Sequence, residues 1–113
     1  MTYEPGQVLR VPFPFTDRDA SKNRPALVLS AEGFNQQSGH LVLAMITSAK
    51  NTTWPLDYPI QDLRAAGLPA PSVVRGKLFT LDARLIRGAL GHLSPADKER
   101  LSENLKQICG NIV

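Results

Sequence analysis

Arg24, Thr47, Ser48 and Arg75 are the residues whose types and settings could act on a charged ligand. A guanidinium is planar and stays charged at any biological pH, so Arg24, directly before Pro25, suits a phosphate and the charge that builds on it during transfer. A solvated loop arginine is the plainer alternative. The hydroxyls of Thr47 and Ser48, at the end of an apolar run, can donate to a phosphate oxygen or can cap a turn. Arg75 alternates with apolar neighbours in Val73-Val74-Arg75 and is expected to project from a sheet face, as a ligand or as an ordinary strand charge. Unpaired nucleobases stack on aromatic rings, which singles out Phe13, Phe15, Trp54 and Tyr58. Core packing is the competing role for Phe13 and Phe79, whereas Phe15 and Trp54 sit in proline-bordered polar stretches.

Other chemistries are poorly supplied. One cysteine, Cys109, and two separated histidines, His40 and His92, cannot assemble a structural zinc site, and neither G-x-x-x-x-G-K-[ST] nor G-x-G-x-x-G occurs. We therefore expect no cofactor and no metal, with surface or structural roles for both histidines. The 113 residues, 42% hydrophobic and 20% charged, fit one domain, since a chain of this size buries about 65% of its unfolded surface in a single core. A net charge of +3 permits nucleic acid without identifying it. No apolar run reaches membrane-spanning length, and the first residues lack a basic stretch followed by an apolar one, so the expected location is the cytoplasm, with no membrane partner.

The elements that must hold these residues read as a small, mainly β domain with a C-terminal helix. Gln7 to Val11 is a first strand, broken by Pro12 and Pro14, and Thr16 to Asn23 is expected to be a polar loop. Ala26 to Leu29 and Leu41 to Ile46 are continuous apolar runs, expected as central strands buried on both faces and joined by a polar connection. After the loop Ala49 to Thr53, the residues Trp54 to Ile60 are expected to be extended, and Gln61 to Gly67 to form one helical turn. Ser72 to Phe79 makes a fifth strand in which Gly76 marks a bulge or a close approach. A short strand within Leu85 to Leu93 precedes a helix with Ser94 as N-cap, Pro95 at its first position, Asp97 in capping-box position and Gly110 beyond its end. Leu101, Leu105, Ile108 and Ile112 form its apolar stripe.

Several segments together resemble the PemK/MazF toxins: Gly6-x-Val8, Lys22-Asn23-Arg24-Pro25-Ala26-Leu27-Val28-Leu29-Ser30, Ile46-Thr47-Ser48, Gly67-Leu68 with Pro71-Ser72-Val73-Val74-Arg75, and Thr80-Leu81-Asp82. Order and spacing match as well, from about Pro5 to the final helix. The resemblance implies an SH3-like small β-barrel of the PemK/MazF/CcdB type, a homodimer, and the toxin of a type II toxin-antitoxin pair. It implies a metal-independent endoribonuclease that cuts single-stranded RNA, with the ribose 2′-OH as nucleophile and 2′,3′-cyclic phosphate and 5′-OH ends as products. Arg24 and Thr47 then match the family's catalytic arginine and threonine, with Ser48 beside them, and Arg75 matches the first of an Arg and an Asp two residues apart that some members carry.

Lys77 stands where that Asp would be. A protonated lysine cannot take the 2′-OH proton, so Asp17, Asp19 and Glu32 become the candidate bases and Arg24 is assigned to electrostatic stabilisation. Lys77 would instead grip a flanking phosphate, with Phe15 and Trp54 as stacking residues. The implied partners are an RNA substrate, an acidic antitoxin segment and, only through the antitoxin complex, DNA. A gyrase-directed poison like CcdB and an inactive barrel used for binding or regulation are the alternatives.

Overall fold

Strands form where the apolar runs are, and their ladder brings distant runs together. The structure is a computed structural model that describes residues 2–12 and 22–112. In chain order it contains β1 (Gln7–Pro12), β2 (Asn23–Val28), α1 (Glu32–Ser38), β3 (His40–Ser48), β4 (Tyr58–Pro59), α2 (Leu63–Ala66), β5 (Ser72–Asp82), a 3-10 turn (Ala83–Leu85), β6 (Gly88–His92) and α3 (Pro95–Cys109), followed by the 3-10 turn Gly110–Ile112. The strands make one curled antiparallel sheet in the order β4-β5-β3-β2-β1-β6. A mainly β fold of the small-barrel kind with a C-terminal helix is the architecture the sequence leads one to expect, and the six strands curl into a half-barrel.

Alternate residues of the central strands feed two cores, because successive strand side chains point to opposite faces. Val8, Leu27, Ala44, Ile46, Val74 and Leu101 of α3 belong to one; Leu9, Val11, Ala26, Val28, Leu43 and Phe79 to the other. Burial on both faces explains why the runs in β2 and β3 show no polar alternation. Between Ala44–Leu78 and Met45–Arg75 the β3–β5 register breaks at Gly76 and Lys77, and Ile108 of α3 packs directly on Gly76. The bulge and the close approach both occur.

Two glycines close the curl. Gly67 ends α2 with φ of 72°, and a side chain there would run into the Leu90 carbonyl of β6; opposite it, a side chain on Gly91 would run into the Ala65 carbonyl. Backbone therefore packs on backbone where α2 meets β6. Helix α3 starts as its sequence dictates, with the Ser94 hydroxyl accepting the Asp97 amide at 3.1 Å. Asp97 sits at the expected capping-box position and does more than cap. Its fully buried carboxylate accepts the Tyr58 hydroxyl at 2.5 Å and the amides of Gln61 and Asp62 at 3.1 and 3.0 Å. Burial alone would raise this carboxyl; the Tyr58 and backbone donors outweigh it and hold it below the usual carboxylate value.

One element was not expected. Helix α1 replaces the polar connection between the central runs, and it is fastened by Asn35, which donates to the carbonyls of Tyr3 (2.9 Å) and Ser30 (3.1 Å). Among the described residues no helix is long and apolar enough to cross a membrane.

Candidate functional site

Pro25 decides where the sheet opens. Lacking an N–H, it cannot extend the β2–β3 ladder, which spans Ala26–Val28 of β2 against Leu43–Met45 of β3. Arg24 on β2 and Thr47 and Ser48 on β3 therefore lie beyond the paired stretch, on the two sides of a groove of about 440 Å³. Its walls are Arg24 and Pro25, Met45 to Ser48, Asn51, and the segment Leu68 to Ser72. Pro69 and Pro71 stiffen the last of these.

The Nε of Arg24 is buried and has no hydrogen-bond partner among the described residues. A buried guanidinium N–H with no acceptor is costly, and an anionic oxygen in the groove would remove that cost. Thr47 is half-buried, and its Oγ1 accepts the Asn51 side-chain amide at 2.6 Å. That bond uses a lone pair and leaves the hydroxyl hydrogen to donate. Ser48 is exposed and its Oγ accepts the Lys50 amide at 3.2 Å, so it caps a turn at the rim. An arginine and two hydroxyls facing one groove can bind a phosphate diester and stabilise charge gathering on it.

Arg75 is placed differently from its expected projection. It is 7% exposed and lies opposite Met45 in the ladder, with Nε and Nη2 bonded to the two carboxylate oxygens of Asp57 at 3.1 and 2.9 Å. Nη2 also donates to the Thr52 carbonyl at 2.6 Å, and the guanidinium lies 5.1 Å from the centre of the Trp54 ring. Burial would raise the Asp57 carboxyl, but Arg75 and the Trp54 amide hold it below its ordinary value. Arg75 is not part of the groove lining.

The remaining candidates divide by location. Trp54 is 41% exposed, and the Lys77 ammonium lies 6.0 Å from its ring centre, which makes a cationic, aromatic patch outside the groove lining. Glu32 begins α1, past the far end of β2 from Arg24, and is exposed. Tyr58 is buried and bonded to Asp97, so its ring is not a stacking surface. His40 and His92 hold local contacts, to the Ser38 carbonyl at 2.9 Å and to Glu4 at 3.1 Å. Phe13, Phe15, Asp17 and Asp19 lie outside the described residues. Sequence reasoning missed Asn51, whose only signal is a polar Asn-Thr-Thr turn following a strand, and Asp57, which nothing local ties to Arg75.

Comparison with known proteins agrees with this architecture. MazF from Deinococcus radiodurans superimposes with a TM-score of 0.75 at 23% identity, covering 98% of this chain and 99% of that one. A mycobacterial endoribonuclease solved with its cognate antitoxin gives 0.73 at 18% identity, covering 96% and 93%, and the Mycobacterium tuberculosis toxin MazF-mt6 gives 0.73 at 20%, covering 91% and 95%. These likenesses establish the fold. No protein of curated function matches the sequence. Residues 4–109 match the family of PemK-like, MazF-like toxins of type II toxin-antitoxin systems, which is nearly the whole chain, and the protein belongs to that family.

Proposed function

We propose that the protein is a metal-independent endoribonuclease that cleaves single-stranded RNA, and that Arg24 and Thr47 carry the reaction. The observation behind this reading is the buried Nε of Arg24, without a partner among the described residues, in a groove shared with Thr47 and Ser48. RNA brings its own nucleophile. The 2′-oxygen attacks the adjacent phosphorus, the bond to the 5′-oxygen breaks, and the products are a 2′,3′-cyclic phosphate and a 5′-hydroxyl. Arg24 stabilises the charge on the pentavalent phosphate, while Thr47 donates to a non-bridging oxygen and Ser48 binds at the rim. The 2′-OH proton needs an acceptor, and the described groove lining contains no Asp, Glu or His. Asp17 and Asp19, in the segment leading to Lys22, are the candidates that fit this reading; Glu32 stands away from the groove.

Lys77 and Trp54 extend the reading to flanking nucleotides, through a phosphate contact and a stacked base, with Phe15 as a second stacking residue. Solved relatives include MazE–MazF complexes, which supports an antitoxin as this chain's partner too, and an acidic segment would suit its net charge of +3. A homodimer in the cytoplasm completes the proposal. The deciding experiment incubates the purified protein with a long single-stranded RNA in EDTA and maps the new ends. Cyclic phosphate ends, lost when the cut site carries 2′-deoxyribose, are expected; intact RNA would leave a protein-directed poison or an inactive barrel.

A further inference from the structure

The loop between β3 and β4 carries Asn51 into the groove, and Arg75 is one of the groups that fix that loop. Its polar residues bury little, so they cannot order it by packing. Hydrogen bonds order it instead. Ala49 donates to the Pro71 carbonyl at 3.0 Å and Asn51 to the Ser48 carbonyl at 3.1 Å; Arg75 binds the Thr52 carbonyl at 2.6 Å; and Trp54 donates to Asp57, itself paired with Arg75, at 2.9 Å. Thr52 follows Asn51 directly, so the bond from Arg75 holds the chain at the residue next to Asn51, through the peptide that joins residues 52 and 53.

We propose, on the strength of the reading above, that Asn51 positions the Thr47 hydroxyl and that Arg75 serves the groove by holding the Asn51 loop, not by touching RNA. A threonine hydroxyl can rotate among several partners, and a donor on its lone pair restricts that freedom. With the Asn51 amide at 2.6 Å, Oγ1 is committed as an acceptor and its hydrogen is turned toward other partners, of which a phosphate oxygen in the groove is one. Three of the five N–H donors of Arg75 are committed within the protein. Nε and Nη2 bind Asp57 and Thr52, and the residue is buried behind Trp54.

Kinetics, binding and spectroscopy together test this. Asn51→Ala should lower kcat about tenfold with KM within twofold, and should cost nothing more in a Thr47→Val background, because a residue acting through Thr47 couples to it. An equal loss in both backgrounds means that Asn51 meets RNA itself and overturns the proposal. Binding of an RNA blocked by 2′-deoxyribose at the cut site should keep its salt dependence in Arg75→Met and in Asp57→Asn, whereas Arg24→Ala lowers the slope by about one. A drop of about one on losing Arg75 identifies it as a phosphate ligand and overturns the proposal. In the free protein, the Asn51 side-chain amide resonances should move in Thr47→Val and in Asp57→Asn; unmoved resonances overturn it whatever the activity. A wild type that cleaves no RNA while those resonances do move removes the nuclease reading and leaves the loop arrangement standing.

Discussion

Two arginines near the same end of the sheet have opposite surroundings. Arg75 has a carboxylate on two of its nitrogens, a carbonyl, and an indole against its face. Arg24 has a buried Nε with no partner among the described residues. Both sit in strands and both precede a residue with no side-chain polarity, so residue type and local pattern do not separate them. Satisfaction of buried donors does: a guanidinium tied to a carboxylate and a carbonyl with no buried N–H left over holds the protein together, and one with a buried N–H left over is suited to a ligand.

The largest expected effect breaks the Arg24 side of this contrast. Arg24→Ala should slow RNA cleavage by about 100- to 1000-fold, the usual cost of one preorganised donor to developing charge. Its thermal unfolding should stay within about 1 kcal/mol of wild type, since no core volume or ion pair is removed. Arg24→Lys keeps the charge without the planar fork and should remain badly impaired. Single-turnover assays and calorimetry on the same preparations measure both.

Arg75 should invert that pattern. Replacing it by Met leaves the Asp57 carboxylate buried and unpaired, and the expected loss of stability is about 3 kcal/mol, read from denaturant midpoints. Replacing both partners by apolar residues of similar volume should recover most of that loss. A stability change at Arg24 as large as that at Arg75 would erase the distinction.

Acid separates the two regions further. Asp57 and Asp97 both have carboxyls held below their ordinary value in the folded protein. The stability each contributes is therefore present above about pH 4, near the unfolded carboxylate value, and is lost as pH falls through the folded one. Asp57→Asn should flatten the fall in stability below about pH 4, while Arg24→Ala should leave its shape unchanged. The smallest effect belongs to a control outside the groove lining: Ser94→Ala removes the α3 N-cap and should cost about 1 kcal/mol with no change in cleavage.

Sequence legibility tracks the range of the forces involved. Helix α3 was readable because its N-cap, first-turn proline, apolar stripe and terminal glycine are local signals, and the bulge was readable from Gly76. Helix α1 was not, because Glu32 to Ser38 has no apolar period and is fastened by Asn35 reaching back to Tyr3. The groove's Arg24, Thr47 and Ser48 were legible through motif and family resemblance. Asn51 and the Arg75–Asp57 pair were not, since they depend on where a loop returns, 18 residues apart in the chain for the pair. Asp97 shows the same limit: its position in the helix was foreseeable, its use as an acceptor for Tyr58 was not.

The seam of Gly67 against Gly91 governs how other chains can approach. A sheet normally advertises its outer strands, whose free amides and carbonyls recruit further strands. Here one border, β4, is two residues long and half proline, and the other, β6, has its Leu90–Gly91 backbone pressed against α2. An extended peptide that tried to join the sheet would meet the short, proline-bearing β4 at one border, which covers only Val73 and Val74 of β5, and the Leu90–Gly91 contact at the other. At those two places the backbone is not free to recruit a further strand, and recognition there falls to side chains.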